Sequence, residues 1–356
     1  MFPRLMHAQL AAWCCLVTVA LASPRTSGDE PLPAPLPSRL SETGLYVAGS
    51  ATEVRPDNIP FSPQYPLWSD GATKRRWLHI PPGAFIDASR PDGWDFPRGT
   101  KLWKEFSHGR RVETRLIQRL ADGTWAYATY VWNEEGTQAA LAPAEGIRAL
   151  PVDGAPAGRY LIPAELDCRA CHEGAAVPVL GVSALQLSPD RDPLAPHAEP
   201  LRPGDADLNA LIARGWVRNL PAALRDRAPR IATPSPESRA ALGYLHGNCG
   251  HCHNADGSPP PVDLVLARSA AATEKSYENI LGSLVGVLSR YRAPGLRAGA
   301  PLIDAGRPET SVLTARMRSR DPRMQMPPLA TQVVDTEALG LIERWIRNQP
   351  GKELHP

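Results

Sequence analysis

Two five-residue strings decide how this sequence reads: Cys168-Arg169-Ala170-Cys171-His172 and Cys249-Gly250-His251-Cys252-His253. Each places two thiols three residues apart and follows the second with an imidazole. Residues at i and i+3 on a helical turn share a face, so both sulfurs reach the two vinyl groups of one porphyrin and the next side chain is aimed at its iron. CxxCH is accordingly the attachment signature of a c-type haem. Cys168, Cys171, Cys249 and Cys252 are the expected thioether tethers of two haems, and His172 and His253 the proximal iron ligands. A zinc ribbon also uses paired CxxC, but 77 residues (172–248) separate the pairs here, against roughly 15–20 in that pattern. A thioredoxin-like redox pair needs a single CxxC in a βαβ setting, which neither string has.

The remaining two cysteines, Cys14 and Cys15, sit in the opening segment MFPRLMHAQLAAWCCLVTVALAS. One positive charge (Arg4), an apolar run from about Leu10 to Leu21 and the small-x-small end Ala20-Leu21-Ala22 read as a signal peptide over 1–22, cleaved after Ala22. The run is shorter than the roughly 20 residues that span a bilayer, and bulky Trp13 stands where a lipoprotein signal needs a small residue. The expectation is an exported, periplasmic protein with no stable membrane insertion. All four of its remaining cysteines are taken by haem, leaving none for the disulfides an exported chain often uses.

Lys plus Arg is 39 and Asp plus Glu 37, a net charge of +2, which lacks the basic footprint of a nucleic-acid binder. Apolar residues at 43% make the chain globular, while 39 prolines among 356 residues predict short elements and many ordered loops. The expected fold class is α+β: a β-rich N-terminal domain followed by α-helical, cytochrome c-like haem regions. Residues 23–39 read as a Pro-rich leader and 40–161 as the β-rich domain. The first haem segment covers 162–233, and a cytochrome c-like haem domain covers 234–349. In the β-rich part the clearest signal is a hairpin, Arg111–Arg119 and Thr124–Trp132 about Asp122-Gly123. Lys74–Ile80, Lys101–Phe106 and Arg159–Ile162 are further strand candidates. Six tryptophans between Trp68 and Trp132 are read as a sheet core, in preference to an aromatic binding surface. Helices are expected over Asp205–Val217, from Ser235-Pro236 into Cys249, over Ser276–Leu288 and Pro308–Arg318, and from Asp335 onward. A first helix ending in CxxCH with the last helix packed across it is the plan of a class I cytochrome c.

That plan needs a second axial ligand. Met326, before Pro327-Pro328 in a rigid loop, is the candidate for the second haem with His253; Met324 competes and Met317 reads as core. For the first haem, His197, His79, His108 and a Met reaching over from elsewhere stand as alternatives, and an empty sixth position would turn a carrier into an enzyme. His246 and His251 read as exposed polar residues. Arg316, Arg318, Arg320 and Arg323 read either as a solvated face or as a docking patch for an acidic partner.

From about Leu40 to Ile346 the chain resembles a family of exported dihaem c-type cytochromes with a β-rich N-terminal part and two CxxCH sites, mostly of unassigned activity. The resemblance rests on LSETGLY (40–46), YPLWSDGATKRRWL (65–78), WDFPRGT (94–100), VETRL (112–116), WNEEGTQA (132–139), IPAELDCRACH (162–172), NCGHCHN (248–254) and MPPLAT (326–331). It implies two covalent haems, electron transfer, and a distal-ligand role for Met326; Ala330 departs from it, a glycine being usual there. The expected function is to carry electrons between redox partners, among them an unidentified redox protein. The alternatives are a dihaem enzyme of peroxidase type and a partner- or polysaccharide-binding β module with haem domains attached.

Overall fold

The structure is a computed structural model that describes residues 36–255, 264–271 and 274–350. The signal peptide at 1–22 and most of the 23–39 leader lie outside the described residues. In chain order the elements are β1 (Ile59–Pro60), β2 (Thr73–His79), β3 (Ile86–Asp87), β4 (Lys101–His108), β5 (Arg110–Arg119), β6 (Trp125–Trp132), β7 (Ala139–Leu141), β8 (Ile147–Pro151), β9 (Arg159–Ile162), α1 (Glu165–His172), α2 (Leu208–Ala213), β10 (Val217–Arg218), α3 (Ala222–Asp226), α4 (Pro236–Asn248), α5 (Glu274–Leu284), α6 (Val312–Arg318) and α7 (Thr336–Arg347). The chain is thus a mixture of one large sheet and several short helices, as the α+β expectation had it. Among the described residues no helix is long and apolar enough to cross a membrane.

The main sheet has the order β1-β2-β4-β5-β6-β7 with antiparallel pairing throughout. Trp77, Trp103, Leu116 and Ala128 stand opposite one another across four strands, so they share a face. Leu40, Leu45 and Tyr46 cover them to close one core. Four of the tryptophans, Trp77, Trp94, Trp103 and Trp132, are buried, which settles the aromatic-rich stretch as core. Leu78, Leu102 and Ile117 point to the other face and join a second core. That core also takes in Leu185, Leu242, Leu245, Ile342 and Trp345. Sheet, central loops and C-terminal helices therefore pack together, and the described residues fall in one compact unit.

The helices start where their caps dictate. The Ser235 hydroxyl accepts from Ser238 N–H ahead of α4, and the Asp335 carboxylate from Ala338 N–H ahead of α7. As expected, α7 packs against α4, and Arg344 reaches Glu237 at 3.5 Å. Three helices are shorter than their sequence patterns. α2 gives way at Gly215 and α5 just before Gly286, whose φ values of 69° and 72° are the left-handed conformation that ends helices. Ahead of α6, Pro308–Thr310 forms a separate 3-10 turn that stops at extended Ser311.

Candidate functional site

The first motif lies on α1, laid across β6. Arg169 holds the outer side of this helix together, at 2.9 Å from Glu165 and 2.8 Å from Glu173. Its guanidinium also lies 5.3 Å from the centre of the Tyr127 ring. Cys168, Cys171 and His172 line a cavity between the helix and the sheet that encloses about 1110 Å³ of empty space, counting its mouth. His172 Nδ1 is 2.5 Å from the Pro178 carbonyl, which makes Nδ1–H the donor and leaves Nε2 with a free lone pair. That is the tautomer a metal-binding imidazole needs. Burial pushes this imidazole down to about 4, so it is neutral.

The second motif follows α4 as a tight turn: Cys252 N–H donates to the Cys249 carbonyl at 3.1 Å and His253 N–H at 2.9 Å. The His253 carbonyl accepts from Leu266 and Ala267. Burial is also the main force lowering the basicity of this ring. The connecting residues 256–263 lie outside the described residues.

The two motifs, remote in sequence, meet in space. The Cys171 and Cys252 side chains lie beside each other. Asn254 Nδ2 donates to the Gly174 carbonyl at 2.9 Å, just beyond the first motif, and to the carbonyls of Gly250 and His251. The neighbouring Cys171 first, and then His251, favour Cys252 as thiolate and hold it well below the usual thiol range. Burial raises Cys168 and pushes Cys249 up to about 12.

Met326 is half-buried on the loop after α6. Its N–H donates to the Arg316 carbonyl at 3.1 Å, and Arg316 Nε donates to the Met324 carbonyl at 2.9 Å. The same Arg316 charge acts on His253, so one residue of α6 links the methionine loop to the second motif. Met317 is core, as expected. Ala330 holds φ at 58°, a left-handed conformation that favours glycine. The distal candidates for the first motif are engaged elsewhere. His197 pairs with Asp335 at 2.9 Å and stacks on Trp68, His79 lies 3.7 Å from Asp57, and His108 packs edge-on against Tyr160. None of the three lines the cavity of Cys168 and His172.

Two expectations need correction. His246 and His251 are not exposed; His246 Nδ1 accepts from Arg268 N–H at 2.9 Å, because α4 turns this ring toward the 264–271 segment. The basic cluster is only partly a surface feature: Arg316 lies 4.3 Å over Tyr291 and Arg320 donates to Thr331 and the Met317 carbonyl, whereas Arg318, at 2.6 Å from Glu343, and Arg323 are exposed. What the sequence reading missed is a row of cations on the cavity's sheet wall, Arg76, Lys104 and Arg115. The signal was present in TKRRWLH (73–79), where alternation puts Lys74 and Arg76 on the core-facing side with Leu78.

A haem fits the first motif: paired thiols on one helical face, a neutral imidazole with its outer nitrogen bonded to a carbonyl, and a cavity beside them. The second motif offers the same donor set. Among the described residues no group of three or more His, Cys, Asp or Glu is placed to hold a bare metal ion. In comparisons with family models, curated proteins and solved structures, the chain matches none.

Proposed function

We propose that this chain is an exported dihaem c-type cytochrome that carries electrons between redox partners. The observation that carries the reading is the meeting of the two CxxCH motifs at Cys171 and Cys252, because two groups tethered there are neighbours. When bound, each haem supplies reversible one-electron chemistry at its iron. The residues of the chain tether the groups, present His172 and His253 to the irons, and exclude water. For the second site Met326 is the proposed distal ligand, on the loop that Arg316 ties to His253's surroundings. A CxxCH at the end of α4, with α7 packed on that helix, supports a class I cytochrome c-like arrangement for the C-terminal region.

Optical and EPR spectra of the purified holoprotein test this: two low-spin, six-coordinate haems are expected. Met326→Ala should abolish the weak sulfur-to-iron charge-transfer band and lower one midpoint potential. A second reading, a haem enzyme of peroxidase type with one open iron position, is favoured by the engagement of His79, His108 and His197 away from the first cavity. A high-spin signal together with peroxide turnover would establish it in place of the carrier.

A further inference from the structure

The first cavity has one wall whose charges do not balance. Arg76, Lys104 and Arg115 stand directly opposite one another on β2, β4 and β5, and like charges at such positions repel. Arg76 is 6% exposed. Its Nη1 meets Glu199 at 3.2 Å, but its Nη2 is buried with no partner among the described residues. Arg115 is held by Glu113 at 2.5 Å. Lys104, between them, has no hydrogen bond or ion pair among the described residues; its ammonium lies 4.8 Å from the centre of the Phe106 ring. Lys74 adds a fourth cation on the same face and spends its ammonium on the Leu67 carbonyl at 2.9 Å. Tyr127 lines the same cavity with its buried hydroxyl unpartnered. Four cations and a hydroxyl therefore face three carboxylates: Glu113, Glu199, and the cavity-lining Asp167, which accepts from Ala164 N–H at 3.0 Å.

Lys104 and Arg115 are half-buried beside buried Lys74 and Arg76, and cations withdrawn from water are stabilised by pairing, so this wall favours an anion in the cavity. Across the cavity stand Cys168, Cys171 and His172, the residues that would tether a porphyrin, which carries two carboxylates of its own. We propose that Arg76, Lys104 and Arg115 bind the carboxylates of the porphyrin attached at Cys168 and Cys171, with Lys104 as the central contact. This rests on the haem reading above and adds the residues that orient the group and set its charge environment. Burial first, then Arg76 and Lys74, drive Lys104 well below the usual lysine range; a carboxylate beside it reverses that push.

The test uses the holoprotein from a host that attaches c-type haem, with haem count by intact mass and midpoint potentials by spectroelectrochemistry. Lys104→Met and, as a second variant, Lys104→Gln should keep two haems. Each should lower the potential of one haem and leave the other in place, since a lost cation beside a haem disfavours the reduced form. Lys104→Arg should restore the wild-type potential. Two haems with both potentials unchanged in Lys104→Met and Lys104→Gln would overturn the proposal alone, whereas wild-type protein without haem would overturn the haem reading beneath it. A change from low-spin to high-spin ferric haem in Lys104→Met would make Lys104 an iron ligand, against the proposal. A saturable shift of the wild-type potential by inorganic phosphate, lost in Lys104→Met, would assign the row to a soluble oxyanion and also overturn it.

Discussion

Ala330 holds a left-handed conformation, φ 58°, which costs a residue with a Cβ about 1–2 kcal/mol. Ala330→Gly relieves that strain and gives back part of it as chain entropy, so a net gain of about 1 kcal/mol is expected in denaturant unfolding; a loss would contradict the strain assignment. His246 makes the chain sensitive to acid. Its ring accepts from Arg268 N–H, and burial pushes it down to about 4, whereas an unfolded histidine titrates near 6.5. Between those values the unfolded chain takes up a proton that the folded chain refuses. Stability from this group is therefore full above about pH 6.5 and falls as pH drops toward 4, by at most about 3 kcal/mol. His246→Asn keeps an acceptor toward Arg268 but does not titrate, and its stability should fall less steeply over that window; parallel slopes for the two proteins would refute the role. At this scale the six cysteine and histidine positions were legible because CxxCH is a local spacing. The cation row was not, because Arg76, Lys104 and Arg115 become neighbours only once the strand register is known.

Among the elements, α4 is fixed less by its own periodicity than by what it packs on. A Cβ on Gly243 would fall inside the Tyr65 ring, and one on Gly247 would meet the Tyr65 backbone carbonyl, so the two glycines form a notch one turn apart that admits this tyrosine. Gly243→Ala improves intrinsic helix propensity by about 1 kcal/mol yet overpacks the notch, which typically costs about 1–3 kcal/mol. The expected outcome is a lower unfolding midpoint, and a higher one would show that the contact yields freely. Sequence spacing alone could not reveal this, since a glycine inside a helix reads simply as a weak former. The caps at Ser235 and Asp335 and the hairpin about Asp122-Gly123 were legible because a single residue type satisfies a local backbone need. The early ends of α2 and α5 were not, because their apolar pattern runs on past Gly215 and Gly286 into residues that the fold uses as bridges and strands, such as Val217 against Ile86 and Leu288 against Pro301.

For the molecule as a whole, the segment around residues 64–70 is the joint. Asn248 Oδ1 accepts from Trp68 N–H at 2.7 Å, Trp68 Nε1 donates to the Val333 carbonyl at 3.1 Å, and the Asp70 carboxylate accepts from Gln332 and Val333 at 2.8 and 3.0 Å. A piece comprising residues 234–349 would expose the face that Tyr65 and Leu185 cover, so it should fail to give a cooperative unfolding transition on its own. A sharp transition would show an independent C-terminal domain. These long-range ties were illegible because loops such as 178–206 carry no periodicity, although they supply buried residues to the shared core. The central claim is that two porphyrins are bonded through sulfur to Cys168, Cys171, Cys249 and Cys252. Intact mass spectrometry of the protein purified from a host with haem-ligation machinery measures this: a polypeptide heavier by two haems is expected, and a bare chain with four titratable thiols would refute the attachment.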